Sequence, residues 1–142
     1  MMVRHACFDD IEPLLALIEK AVKASPNYQR HDFDRGRTMA SLKRAILNPM
    51  ALVAVTDDLK GMIAGEAYPA PWHQGLSIWN NFFFAEKGGI GLARFYKKWA
   101  KEFGGRNDIK LAVSFGGDRA ERSGRLFEHL GCDPIGQQYR VN

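Results

Sequence analysis

A chain of 142 residues has the length of one ordinary domain, and 46% hydrophobic with 25% charged side chains is the balance of a globular protein. That composition excludes a disordered tail and a collagen-like repeat, and no apolar run approaches the roughly 20 residues of a membrane helix. The formal net charge is +4, and it is uneven: residues 1–85 carry nine basic and nine acidic side chains, residues 86–142 eleven and seven, which points to an anionic partner for the C-terminal part.

Val3 to Cys7 reads as a short first strand. Asp9 or Asp10 can cap a helix whose buried face is Ile11, Leu14, Leu15, Ile18 and Val22, stopped at Ser25-Pro26 because proline disfavours helical geometry in the residue before it. A polar and aromatic loop follows, with Tyr28, His31 and Phe33, and then a second helix from about Asp34 with Met39, Leu42, Ile46 and Leu47 inward. Ala51 to Val55 is continuously apolar, as suits a strand covered on both faces. A turn at Asp57 to Gly61 returns the chain into a hairpin partner, Met62 to Tyr68. Pro69 and Pro71 break that strand, and Leu76 to Phe84 forms a long fourth one.

The third helix opens in the glycine cluster Gly88-Gly89-Ile90-Gly91. Its core stripe is Leu92, Phe95, Tyr96, Trp99 and Phe103, and Gly104-Gly105 closes it. Ile109 to Phe115 is predicted as a fifth strand, Asp118 to Leu130 as a last helix, and Ile135 to Val141 as a final strand. The sequence therefore describes one α/β domain over residues 1–142, with a mixed, mostly antiparallel sheet flanked by helices.

Cys7 and Cys132 have no metal-ligand spacing, and each lies in an apolar stretch. Both are expected to be buried, reduced thiols of a cytoplasmic protein, and no metal is expected. The start, Met1 to His5, has no apolar segment of the kind a secretory signal needs.

The strand ending Phe82-Phe83-Phe84, followed by Glu86-Lys87-Gly88-Gly89-Ile90-Gly91 and a helix, is an anion-site pattern. Amides at a helix start lack intrahelical partners, the helix dipole favours negative charge, and glycine admits close approach to the main chain. The spacing matches neither the P-loop nor the three-glycine dinucleotide fingerprint.

The order of these segments resembles the GNAT superfamily of acetyl-CoA-dependent N-acetyltransferases, in particular its small single-domain phage and bacterial members, over nearly the whole chain. The residues that carry the resemblance include Val3-Arg4-His5-Ala6 with Asp10, the Ser25-Pro26 break, Phe33-Asp34 and Gly61 to Gly65 with Pro71-Trp72. Gly88-Gly89, the helix ending Trp99-Ala100-Lys101, and Leu126 to Cys132 with Gly136 and Tyr139 complete it. The resemblance implies that acetyl-CoA is the co-substrate and a primary amine, on a small molecule or protein, the acceptor. It places the pantetheine arm along the backbone of Phe82, Phe83 and Phe84, and the pyrophosphate on Lys87, Gly88, Gly89, Ile90 and Gly91. Ser114, Arg119, Arg122 and Ser123 come near the cofactor, and Tyr28, His31, Phe33 and Trp72 near the acceptor. Members of the family are often homodimers.

Three acid–base candidates follow. Glu66 is a lone carboxylate in an apolar strand, open to reading as a base or as a solvent-facing side chain. His73 is a base, a substrate contact or a surface residue. Tyr139 is a proton donor to the CoA thiolate or an edge-of-core tyrosine. Two positions depart from the family pattern. Glu86 puts a negative charge where the phosphate loop usually begins, and Phe127 stands where a tyrosine often donates a proton. These departures leave a second reading, a catalytically weak or inactive GNAT-fold module for acyl-CoA binding or interaction. A third, nucleic-acid binding, rests on a pI of about 9.2, but the basic residues alternate with acids and no nucleic-acid motif appears. A membrane partner is not expected.

Overall fold

The computed structural model describes residues 2–26, 28, 31–112, 118–136, 139 and 141, with the backbone alone for 118–120. Strand β1 (Val3–His5) is followed by a 3-10 turn over Phe8–Asp10 and helix α1 (Ile11–Ala24). The first strand is shorter than its predicted span because the Cys7 N–H turns away to the Asp10 carboxylate, 2.9 Å off. Asp10 therefore braces the turn and makes no side-chain cap on α1. In α2 (Arg35–Leu47) the Asp34 carboxylate does cap, accepting from the Arg37 N–H at 2.9 Å. Leu47, predicted to face inward, is exposed, because it ends the last turn just before the Asn48 stop.

Strands β2 (Ala51–Thr56), β3 (Gly61–Pro69) and β4 (Leu76–Ala85) form an antiparallel meander that also includes β1. After α3 (Gly89–Lys101), β5 (Asp108–Lys110) adds to β4 in parallel, completing a five-stranded mixed sheet in the order β1 to β5. Helix α4 (Asp118–His129) follows. The continuous apolar run of β2 is explained by its two covered faces. Val53 and Val55 pack under α1 and α2, while Leu52 and Ala54 pack under α3.

In β4 the pairing with β3 skips one residue. Ala64 faces Phe82 and Gly65 faces Asn80, leaving Asn81 as a bulge. Upstream, Ile78 points to the α3 core; downstream, Phe83 joins that core and Phe84 the α1/α2 core.

Three sequence expectations are corrected. The described residues from Ile135 to Val141 form no strand, and Ile135, Tyr139 and Val141 are exposed, so the apolar positions of that segment have no face to cover. The cysteines are not core thiols either: Cys7 is exposed in the turn after β1, and Cys132 is half-buried beyond α4. Strand β5 also ends earlier than predicted, at Lys110, with Leu111 and Ala112 outside it.

Candidate active site

The glycine cluster becomes the start of α3. Gly88 sits just before the helix at φ +80°, a left-handed conformation that glycine adopts without penalty. This turn carries the chain sharply from β4 into α3, leaving the amides of Gly89, Ile90 and Gly91 in the first turn, where no helical carbonyl can accept from them. A Cβ placed on Gly89 would make ordinary van der Waals contact with Ala85, Phe83 and Leu126 at 3.8 Å, so the glycine relieves no clash and faces the space that those side chains border.

That space is a cleft of about 410 Å³ lined by Phe83, Phe84, Ala85, Glu86, Gly89, Arg122, Ser123 and Leu126. Five of the residues predicted to meet the cofactor, Phe83, Phe84, Gly89, Arg122 and Ser123, are thus gathered around one opening. Lys87 is exposed on the adjoining turn, with half-buried Gly88 and Gly91 and exposed Ile90 beside it. Phe82 packs against the α1/α2 core instead of lining the cleft. Ser114 and the side chain of Arg119 lie outside the described residues. Ala85 and Leu126 were not singled out from sequence, being small or aliphatic residues whose role is only to shape the wall.

Glu86, a negative charge on the cleft wall, is matched by a cation that sequence reasoning did not connect to it. The Lys20 ammonium of α1 lies 2.5 Å from its carboxylate. Sixty-six positions separate the two residues, so no local pattern could have paired them.

A second cleft, of about 520 Å³, lies between β5, α4 and the stretch after α4, and Trp79, Lys110, Ala112 and Phe127 are among its walls. The two clefts meet at an aromatic pair: Phe83 of the first and Phe127 of the second stand edge to face at 5.9 Å. Between β4 and the end of β5 the ladder is replaced by one side chain. The Asn80 amide donates to the Ala112 carbonyl at 3.0 Å and accepts from the Ala112 N–H at 2.6 Å. Asn80 thus does with a side chain what a further backbone pair would do, so the ladder stops at Lys110 without orphaning the Ala112 groups.

The acid–base candidates are scattered. Glu66 is exposed on β3, its backbone paired with Trp79 of β4. The His73 Nδ1 accepts from the Gly75 N–H at 2.9 Å, which puts the proton of the neutral ring on Nε2. Nε2 is itself buried with no hydrogen-bond partner among the described residues. His73 is therefore built into its own turn, with no open lone pair. Tyr139 is 85% exposed beyond α4, outside any strand.

Of the residues assigned to the acceptor, Tyr28 and Phe33 pack against the α1/α2 core, and His31 is exposed in the same loop. Trp72 also stands out into solvent, 67% exposed. Among the described residues no group of His, Cys, Asp or Glu side chains is placed to hold a metal ion, and no helix is long and apolar enough to cross a membrane.

Against known structures the layout is a frequent one. A structure from Agrobacterium tumefaciens str. C58 bearing an acetyltransferase name superposes with a TM-score of 0.74, covering 100% of this chain and 99% of that one at 12% identity. The chain has the GNAT acetyltransferase fold. This GNAT-fold chain also resembles an aminoglycoside acetyltransferase from an uncultured soil metagenomic sample, with a TM-score of 0.68, 15% identity and coverage of 99% and 97%. A transcriptional regulator from Bacillus halodurans C-125 has the same fold, at a TM-score of 0.74, 15% identity and coverage of 99% and 98%. No protein-family model and no curated protein sequence matches the chain, so the likeness is one of structure.

Proposed function

We propose that the chain is an N-acetyltransferase that moves an acetyl group from acetyl-CoA to a primary amine. The observation that carries this reading is the cleft at the glycine start of α3, where Gly89 leaves room and Arg122 supplies positive charge. The first-turn amides of α3 and the side chains of Lys87 and Arg122 would hold the CoA phosphates. The Lys20–Glu86 pair removes the electrostatic objection to a phosphate beside Glu86. Acetyltransferase names among structures of the same fold support the reaction class.

In the reaction the neutral amine attacks the thioester carbonyl, a C–N bond forms and the C–S bond breaks. The CoA thiolate leaves, and one proton is lost from the nitrogen. Positioning of the two partners in near-attack geometry supplies much of the rate. Glu66 is the proposed proton acceptor, acting directly or through water, since its carboxylate lies open on the sheet face that carries Trp79. Phe127 has no proton to give, so the thiolate is protonated from solvent. The same Phe127 favours the second reading, a module that binds acyl-CoA and transfers slowly.

Calorimetric titration with acetyl-CoA tests the binding, and free-thiol release with a panel of amines tests the transfer. Binding without thiol release would favour the module; no binding at high micromolar ligand would overturn the transferase and leave the module only as an interaction domain. Gly89→Glu should abolish binding while leaving the circular dichroism unchanged, because its side chain projects into the open cleft. Normal binding by that variant would mean the phosphates lie elsewhere.

A further inference from the structure

On the sheet face that packs under α1 and α2 at one end, the other end is open. One cross-strand row there reads Glu66, Trp79, Lys110: Glu66 is paired with Trp79 across β3 and β4, and Trp79 with Lys110 across β4 and β5. The Lys110 ammonium lies 5.9 Å from the ring centroid of Trp79 and 5.9 Å from that of Trp72. Its remaining described contact is an ion pair with Asp108 at 3.0 Å. Trp79 is 39% exposed and Trp72 67%, so two of the largest apolar side chains of the molecule stand in water around one cation.

This arrangement is held from several sides. The Trp79 indole N–H donates to the Tyr68 hydroxyl. The backbone of Lys110 is anchored from beneath, where the Tyr96 hydroxyl donates to its carbonyl at 2.7 Å. Trp79 and Lys110 also line the second cleft, which the Phe83–Phe127 pair separates from the first. An aromatic face attracts an ammonium group through its quadrupole, most strongly when the ring is an indole. Exposed indoles already holding an ammonium beside a cleft describe a site for that chemical group.

We infer that the Trp72–Trp79 pair is the recognition site for the ammonium of a cationic alkylamine acceptor, and that Lys110 is an internal stand-in which the acceptor displaces. The inference rests on the acyl-transfer reading for the supply of an acceptor, but the cation site itself does not depend on it. Glu66, next in the row, adds the opposite charge that a displaced Lys110 does not provide. On this view Lys110 competes with the acceptor and sets a threshold of affinity that favours diamines, in which one nitrogen stays a charged ammonium on the indoles while the other, neutral, attacks the thioester. Had Lys110 instead been the partner of an acceptor carboxylate, its removal would weaken binding.

The test uses tetramethylammonium, which cannot be acetylated, and tryptophan fluorescence of the whole protein. Trp99 is buried, so quenching reports Trp72 and Trp79. Lys110→Met keeps the aliphatic stem and removes the charge; it should bind the probe about threefold to tenfold more tightly than wild type. Trp79→Ala should lose the binding with the circular dichroism retained, and Trp72→Ala gives an independent variant should Trp79→Ala fail to fold. In the thiol-release assay Lys110→Met should lower KM for an alkyl diamine by a similar factor. Unchanged or weaker probe binding by Lys110→Met overturns the inference, whatever the assay shows of acetyl transfer. Tighter probe binding with no thiol release from any amine keeps the cation site and overturns the transferase.

Discussion

The Asp10 carboxylate accepts from Arg4 at 2.7 and 2.9 Å and from the Cys7 N–H at 2.9 Å, tying β1 to the turn that launches α1. The Arg4 guanidinium holds that carboxyl well below the usual carboxylate range, against the opposing effect of burial. A carboxylate whose folded pKa is depressed adds stability at pH values above its unfolded pKa of about 3.9, and the contribution is lost as the pH falls below that value. Asp10→Ala should therefore destabilise the fold by about 1–3 kcal/mol at neutral pH, because it strands the Cys7 N–H and the inner side of Arg4. Urea denaturation at several pH values checks this: the gap between variant and wild type should shrink steadily below about pH 4. A constant gap down to the acid limb would mean that the hydrogen bonds, not the ionisation, carry the effect. At this scale the sequence was half legible. Asp10 stood out as a helix-start acid, but its use as a brace for Arg4 depends on where β1 ends, which no residue pattern states.

Gly65 in β3 lies under the ring of Tyr96 in α3, where an added Cβ would come within 2.7 Å of Tyr96 Cε2. Tyr96 is fully buried, and its hydroxyl reaches up to the Lys110 carbonyl at 2.7 Å. One glycine thus lets a helix approach the sheet closely enough to anchor the neighbouring strand. Gly65→Ala should cost about 1–3 kcal/mol through overpacking, and it should loosen β5 as well as α3. Hydrogen exchange at Lys110 and Leu111 would register the second effect; unchanged protection there would separate β5 from the Gly65–Tyr96 contact. The helices were readable beforehand because offsets of three and four residues mark a face, as with Leu92, Tyr96 and Trp99. The strand expected at Ile135 to Val141 failed for a complementary reason. Pro134 stands just before it and Gly136 within it, and its described apolar residues meet no layer. The Trp72–Lys110–Trp79 cluster was not legible at all, since it arises from a parallel pairing of segments some thirty positions apart.

Across the whole molecule, six of the eleven basic residues after residue 85 stand at two places. Arg122 and Lys87 stand at the glycine-turn cleft, while Arg94, Lys97, Lys98 and Lys101 line a separate groove along α3. If the phosphates of CoA are held at the first place, affinity should fall as salt is raised, because exposed charges are screened over about 8–10 Å at physiological ionic strength. Calorimetry at low and high sodium chloride measures this, and Arg122→Ala should flatten the dependence. A dependence unaltered by Arg122→Ala would assign it to other cations, those along α3 among them. The overall architecture was the most legible level, because the alternation of strands and helices is written over the full length. The division of charge was not, because it depends on which helix face each cation occupies. The extra residue at Asn81 has a consequence for how this chain tolerates change. It acts as a parity switch: Trp79, an odd position, and Phe82 and Phe84, even ones, share one side of the sheet. Removing Asn81 would set Trp79 and Phe82 two positions apart, so strict alternation would keep Trp79, Phe82 and Phe84 on their present side of the sheet and Ile78 and Phe83 on the other. One lost codon there should close the bulge and leave both cores in place.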